Sequence, residues 1–162
     1  MWYVYGRGQG INYGSIPKLL APEISLGGNF AYDINGQYYS TTKVYGYIKN
    51  KKCKYSYLFL LGLLNSELFW FFIKNTGYVL RGGYYTFKTN YVYPFPIPKY
   101  ETIDSELILN IEENIKSILN KTSLDKYDIS NEIKKNNELI YKIYNIDRKD
   151  IQIIEKNINI NI

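Results

Sequence analysis

The sequence contains no histidine. That removes the imidazole base of a Ser-His-Asp or Cys-His pair, and with it the commonest nitrogen ligand for a metal ion. Cysteine is reduced to one residue, Cys53, in a Lys-rich turn, so neither a disulfide framework nor a Cys-based metal site can be built, and a reducing, cytoplasmic setting is expected. Acids are scarce where bases are plentiful: residues 1–100 carry only Glu23, Asp33 and Glu67 against 11 Lys/Arg, a net charge of +8. Three scattered carboxylates cannot converge on the ions and water of a metal-dependent nuclease. The nearest acidic cluster, Asp128 with Glu132 and Lys134, belongs to a helical pattern whose polar side reads as a solvated face. The glycines of Gly6-Arg7-Gly8-Gln9-Gly10 are spaced G-x-G-x-G, which is neither the dinucleotide fingerprint nor a phosphate loop. The chain therefore reads as non-catalytic, with no catalytic, metal or cofactor residues of its own.

Long apolar runs are limited to one. Tyr55 to Ile73 is nearly all apolar over 19 residues, but Asn65, Ser66 and Glu67 lie at its centre. A charge there costs on the order of 3 kcal/mol in hydrocarbon, which favours a buried helix pair over a membrane span. Tyr57 to Leu64 gives the first helix. Asn65-Ser66 ends it and caps the next, which runs from Leu68 to Lys74. Strand-like residues begin at Trp2 with no signal-peptide pattern ahead of them, suggesting a piece of a longer polypeptide.

Aromatic residues are abundant, and they follow the positive charge. Sixteen of 19 tyrosines, all 7 phenylalanines and both tryptophans precede residue 101, whereas residues 101–162 carry a net charge of −3. The pattern predicts an α+β chain of two parts. Residues 1–100 form a small mixed β-sheet domain with a central helix pair, and residues 101–162 a C-terminal α-helical hairpin. In the first part Asn35-Gly36 signals a hairpin between Ala31-Tyr32 and Tyr38-Tyr39, and Gly27-Gly28 a loop. Val79-Leu80 and Tyr84 to Tyr93 read as extended, and Pro94, Pro96 and Pro98 form a rigid exit. In the second part Leu107, Ile111, Ile115 and Ile118/Leu119 mark one helical stripe, and Ile129, Ile133, Ile140 and Tyr144 another, joined by a turn over 121–128. A last helix starts after Asp147 and turns Ile151, Ile153 and Ile154 inward. This mildly acidic end is expected to avoid DNA and to pack against a neighbouring domain or subunit.

A basic surface interleaved with tyrosine suits a polyanion: lysine and arginine displace condensed counterions, and phenol rings stack on bases or hydrogen-bond phosphates. Only three arginines occur against 17 lysines, and the two in the basic half, Arg7 and Arg81, sit among glycines. Their rigid forks match the edge of guanine or a phosphate, and flanking glycine allows close backbone approach. Gln9 is an adenine-type reader. Lys18, Lys51, Lys52 and Lys88 are candidates for phosphate neutralisation, with Gly82, Gly83, Tyr84 and Tyr85 completing the Arg81 loop. The competing reading of the two arginines is that both sit in turns and pair with carbonyls, Glu23 or Asp33. A separate alternative for the whole chain is a protein-interaction module, a Tyr-rich β domain and a helical hairpin that bind a partner protein, with the basic charge incidental.

Four motifs in order carry a resemblance: Trp2-x-Tyr-x-Tyr-Gly-Arg-Gly-Gln9, then Leu63-Leu64-Asn65-Ser66-x-Leu68-x-Trp70, then Leu80-Arg81-Gly82-Gly83-Tyr84, then Pro94-x-Pro96-Ile97-Pro98. Together they resemble the TaqI-like C-terminal specificity domain, the target-recognition part of adenine-N6 DNA methyltransferases and of type IIG restriction-modification enzymes. The resemblance implies double-stranded DNA as partner and a methyltransferase domain, in the same parent chain or as a subunit, that uses S-adenosylmethionine. The methyltransferase glycine motif and the Asn-Pro-Pro-Tyr motif are missing from this sequence, which places that domain outside it. The resemblance does not fix which DNA sequence is read or whether a nuclease is fused to the parent.

Overall fold

The computed structural model describes residues 11–39, 43–123 and 128–159. Its centre is strand β1 (Lys18–Pro22), flanked antiparallel by β3 (Ala31–Asp33) and β4 (Val44–Tyr47). Leu19 and Ala21 alternate into the core, and Pro22, which has no N–H to give a ladder, closes the strand. A second ladder pairs β2 (Ile24–Ser25) with β5 (Tyr85–Thr86), also antiparallel. All described pairs are antiparallel, so the small sheets are not of the mixed type the sequence suggested.

The Asn35-Gly36 turn is present, but it is not a hairpin. β3 pairs back to β1, and Tyr38-Tyr39 form no strand. The Asp33 carboxylate accepts the N–H groups of Gln37 (2.8 Å) and Tyr38 (3.0 Å), so a side chain rather than a returning strand satisfies the turn. Gly36 supplies the positive φ, 63°.

The helix pair forms where the apolar run predicts it. Ser56 caps α1 (Tyr57–Leu64) by accepting from Phe59 N–H, and Ser66 caps α2 (Glu67–Thr76) through Phe69 N–H. The axes bend by 57° between them. Phe59, Leu63, Phe69 and Ile73 are fully buried in the protein core, and among the described residues no single helix is long and apolar enough to cross a membrane. Asn65 ends α1 and clamps the start of β3's approach: its Oδ1 accepts from Phe30 N–H at 2.9 Å and its Nδ2 donates to Phe30 O at 3.0 Å.

After β5 the chain departs from the extended reading. Residues Thr89–Val92 make a short helical turn, α3. Their β-type composition yields to local bonds from the Tyr91 and Val92 N–H groups to Lys88 O and to the burial of Val92 and Phe95. The proline segment is helix-free, and its carbonyls become acceptors: Tyr144 donates its hydroxyl to Pro96 O and Tyr55 to Pro98 O.

Helices α4 (Ser105–Thr122), α5 (Ser130–Ile143) and α6 (Arg148–Asn159) complete the chain. Asp104 caps α4, and the Asp147 carboxylate accepts from Asp150 N–H at the start of α6. Ile111 and Ile115 of α4 are buried as their stripe predicts, joined by Ile108. On α5 the stripe is rotated: Ile133 is exposed, while Asn136, Asn137, Leu139, Ile140 and Ile143 face inward. The two asparagines explain the rotation. Asn136 Nδ2 donates to Gly62 O of α1 (2.9 Å), and Asn137 Oδ1 accepts Glu67 N–H at the start of α2 (3.0 Å), so polar residues lie in the packed seam as cross-helix caps. In α6 Ile154 is buried but Ile153 is exposed. The helical end thus packs on α1 and α2 of its own chain, and one apolar cluster runs from Leu19 to Ile143.

Candidate nucleic-acid interface

Beyond α2 the chain turns back on itself. Leu80 N–H bonds to Tyr84 O (2.6 Å), Thr86 N–H to Tyr78 O (3.3 Å), and Val79 bridges Tyr85, making a narrow hairpin. Its turn is Leu80-Arg81-Gly82-Gly83, closed by Gly83 N–H to Leu80 O at 3.1 Å. Gly82 at the third position has φ 87° and Gly83 follows at 77°, a geometry that needs glycine because any Cβ is disfavoured there. The turn carries Arg81 into solvent, and among the described residues its guanidinium has no ion pair or hydrogen bond.

The root of the hairpin is rigid. Tyr85 is buried with its ring edge-on to Trp70, centroids 5.2 Å apart, and Phe87 is fully buried. Tyr84, on the opposite face of the strand, stays exposed beside Tyr78 and Val79. The two tyrosines that look equivalent in sequence are therefore split by the period of two: Tyr85 anchors beneath the loop and Tyr84 alone of the pair offers a ring to a ligand.

The acids that could have captured Arg81 are engaged elsewhere. Glu23 lies 3.4 Å from Lys43 Nζ and 3.8 Å from Lys88 Nζ, and Asp33 pairs with Lys18 at 2.6 Å. Lys88 remains largely exposed despite that weak pair. Lys51 and Lys52 stand on an exposed turn between β4 and α1, fixed by Lys52 N–H to Asn50 Oδ1 (3.0 Å) and Cys53 N–H to Asn50 O (2.9 Å). The two basic segments are tied through the sheets: Tyr47 of β4 donates its hydroxyl to Phe87 O at 2.7 Å, and Phe87 N–H bonds to Glu23 O.

Lys18 is a correction. Its ammonium is buried, 2% exposed, and donates to Gly14 O (2.8 Å), Ile16 O (3.2 Å) and the Asp33 carboxylate, which leaves it no route to a phosphate. Burial would raise the Asp33 carboxyl, but the Lys18 ammonium and the Gln37 and Tyr38 amides outweigh it and hold the group at about 2. Arg7 and Gln9 lie outside the described residues.

No cluster of carboxylates or cysteine that could hold a metal occurs among the described residues. Asp128 accepts from Ser130 N–H, and Glu132 pairs with Lys121. A cavity of about 590 Å³ lies between α2, α5 and α6, but its Glu67 carboxylate is taken by the Tyr141 hydroxyl, whose ionisation burial and that carboxylate push well above the usual range. The Asn65 amide is spent on the Phe30 peptide.

What the described residues offer is an exposed guanidinium on a glycine turn, an exposed ring beside it and exposed lysines on the turn between β4 and α1, groups that suit a phosphate backbone and a base edge. A comparison with curated proteins returns no match. The sequence model of the TaqI-like C-terminal specificity domain matches residues 3–97, more than half of the chain and nearly all of its basic, aromatic part. The chain belongs to the TaqI-like C-terminal specificity domain family, whose role is DNA-sequence recognition in restriction-modification proteins.

Proposed function

We propose that the chain is the target-recognition module of an adenine-N6 DNA methyltransferase of the type IIG restriction-modification kind. The catalytic domain and its S-adenosylmethionine site lie outside this sequence, and that domain is the partner of this chain. The observation that carries the reading is the exposed Arg81 fork, without an ion pair among the described residues, at the tip of a two-glycine turn whose root, Tyr85 and Phe87, is locked in the core. A rigid root with a free bidentate donor is what reading a base edge requires, since the donor is delivered without ordering the backbone afresh. Tyr84, Lys88, Lys51 and Lys52 act with it, the ring against sugar or base and the lysines on phosphates.

The test is binding of the chain to a labelled random-sequence duplex across salt concentrations. A log–log decline of affinity with salt supports the reading, because each neutralised phosphate releases counterion. Absent binding at low salt, or binding indifferent to salt, overturns it.

A further inference from the structure

Among the strongly exposed large side chains of the sheet region, a group is formed by Tyr13 (56%), Ile34 (60%), Tyr38 (62%) and Tyr39 (60%). They are not scattered. They lie on two segments, 13–16 and 34–39, that press against each other. A Cβ on Gly14 would fall 1.9 Å from Tyr39 Cε1, and one on Gly36 would fall 2.4 Å from the Ser15 carbonyl carbon. Glycine at both positions is what lets the segments touch.

Beneath them is the buried Lys18–Asp33 pair. The Asp33 carboxylate holds the Gln37 and Tyr38 amides of one segment, while the Lys18 ammonium holds the Gly14 and Ile16 carbonyls of the other. One ion pair thereby ties both segments to β1 and β3. Burying two charges is a poor source of stability compared with apolar packing of the same volume. Its evident product is geometry, together with the concealment of a carboxylate. Between residues 11 and 39 the only acids are Glu23 and Asp33, and the Asp33 charge is matched internally, so the tip faces solvent with rings and without an anion. An exposed apolar cluster held this firmly marks an interaction site. The absence of negative charge suits a phosphate-bearing partner.

We infer that this tip, with Tyr38 as its principal contact, is a second DNA-contacting element that packs its rings against sugars and base edges, and that the Lys18–Asp33 pair positions it. The inference rests on the DNA-recognition reading above and deepens it: Arg81 and the lysines supply ionic contacts, and the tip supplies a non-ionic one.

The two kinds of contact differ in their response to salt. The chain is titrated against a labelled random-sequence duplex between about 50 and 200 mM salt, where counterion release dominates. Tyr38→Ala, a surface change, is expected to keep the melting transition and to lower affinity roughly tenfold at every salt concentration with an unchanged salt slope, as loss of one ring contact does. Tyr38→Phe, which keeps the ring, stays near wild type. The double change Lys18→Met with Asp33→Leu leaves no buried charge unpaired but strips the turn of its acceptor. Folded, it is expected to show the same parallel loss. If the wild type binds with the usual salt dependence and Tyr38→Ala binds equally well, the tip is no contact and the inference falls while the proposed function stands. A folded double variant that binds like wild type overturns the positioning role. A wild type without salt-dependent binding overturns the proposed function, and the tip with it.

Discussion

Residues of one type do different work in this chain, and burial decides which. Arg81 and Lys18 are both cations beside flexible backbone, yet Arg81 is exposed on a turn and Lys18 is enclosed with Asp33. Replacing Arg81 by alanine is expected to cost about 1–3 kcal/mol of affinity on the preferred sequence and to relax selectivity at one base pair. Lys51→Ala should weaken all sequences alike and reduce the salt slope by about 1. Duplex selection followed by salt titration separates the two effects. Asp33 carries a second expectation. Its carboxyl is held at about 2 in the folded chain, below the value of about 3.9 for a free aspartate. Its contribution to stability is therefore complete above that free value and is lost as pH falls from there toward 2. Urea melts across that window should show a loss of stability that the Lys18→Met, Asp33→Leu double variant lacks.

At the scale of elements, asparagine and serine join segments that apolar patterning alone would leave loosely related. Asn65 grips both the N–H and the C=O of Phe30, and Ser66 caps α2 from a buried position. Asn65→Ala is expected to destabilise the fold by about 1–3 kcal/mol, because the Phe30 peptide loses its partners. Ser66→Ala should cost about 0.5–2 kcal/mol, the usual range for a lost N-cap. Denaturant melts measure both, and an Asn65→Ala protein as stable as wild type would refute the clamp. The bounds of α1 and the break before α2 could be read because the Asn65-Ser66 pair interrupts an apolar run there, although α2 runs from Glu67 to Thr76 rather than Leu68 to Lys74. The rotation of α5 could not, because Asn136 and Asn137 look like surface residues until Gly62 O and Glu67 N–H are brought opposite them. The turn at Asn35-Gly36 was recognisable for the same local reason as the caps. Its strand pairing was not, because β3's partner β1 precedes it and the side chain of Asp33 takes up the donors a hairpin would have used.

Over the whole molecule, the basic sheet part and the acidic helical part share their interior. Phe59 and Leu63 belong to the same apolar cluster as Ile108, Ile111 and Ile140, and Lys74 Nζ reaches Asn157 O at the far end of α6. Thermal unfolding of the chain is accordingly expected as a single cooperative transition. A fragment ending at residue 104 should show none, since α1 and α2 would lose the cover of α4, α5 and α6. Two separate transitions, or a fragment that melts cooperatively, would contradict the shared core. The electrostatic asymmetry has a consequence at this scale too. With the C-terminal helices net negative, the positive field is confined to the sheet part, which orients the chain on a polyanion as it approaches.

The sequence by itself determined the chemistry available: no imidazole, one thiol, and few acids near many bases. It determined the capped helix pair and the glycine-flanked arginine as well, because caps, periodicity and turn residues act within a few positions of each other. Only the tertiary structure decided which charges face solvent, which of two adjacent tyrosines anchors the loop and which segments meet in the exposed aromatic tip. Those outcomes depend on partners 15 or more positions away, as Lys18 and Asp33 are, and the cost of burying a charge or a ring is set by what stands opposite it once the chain has closed.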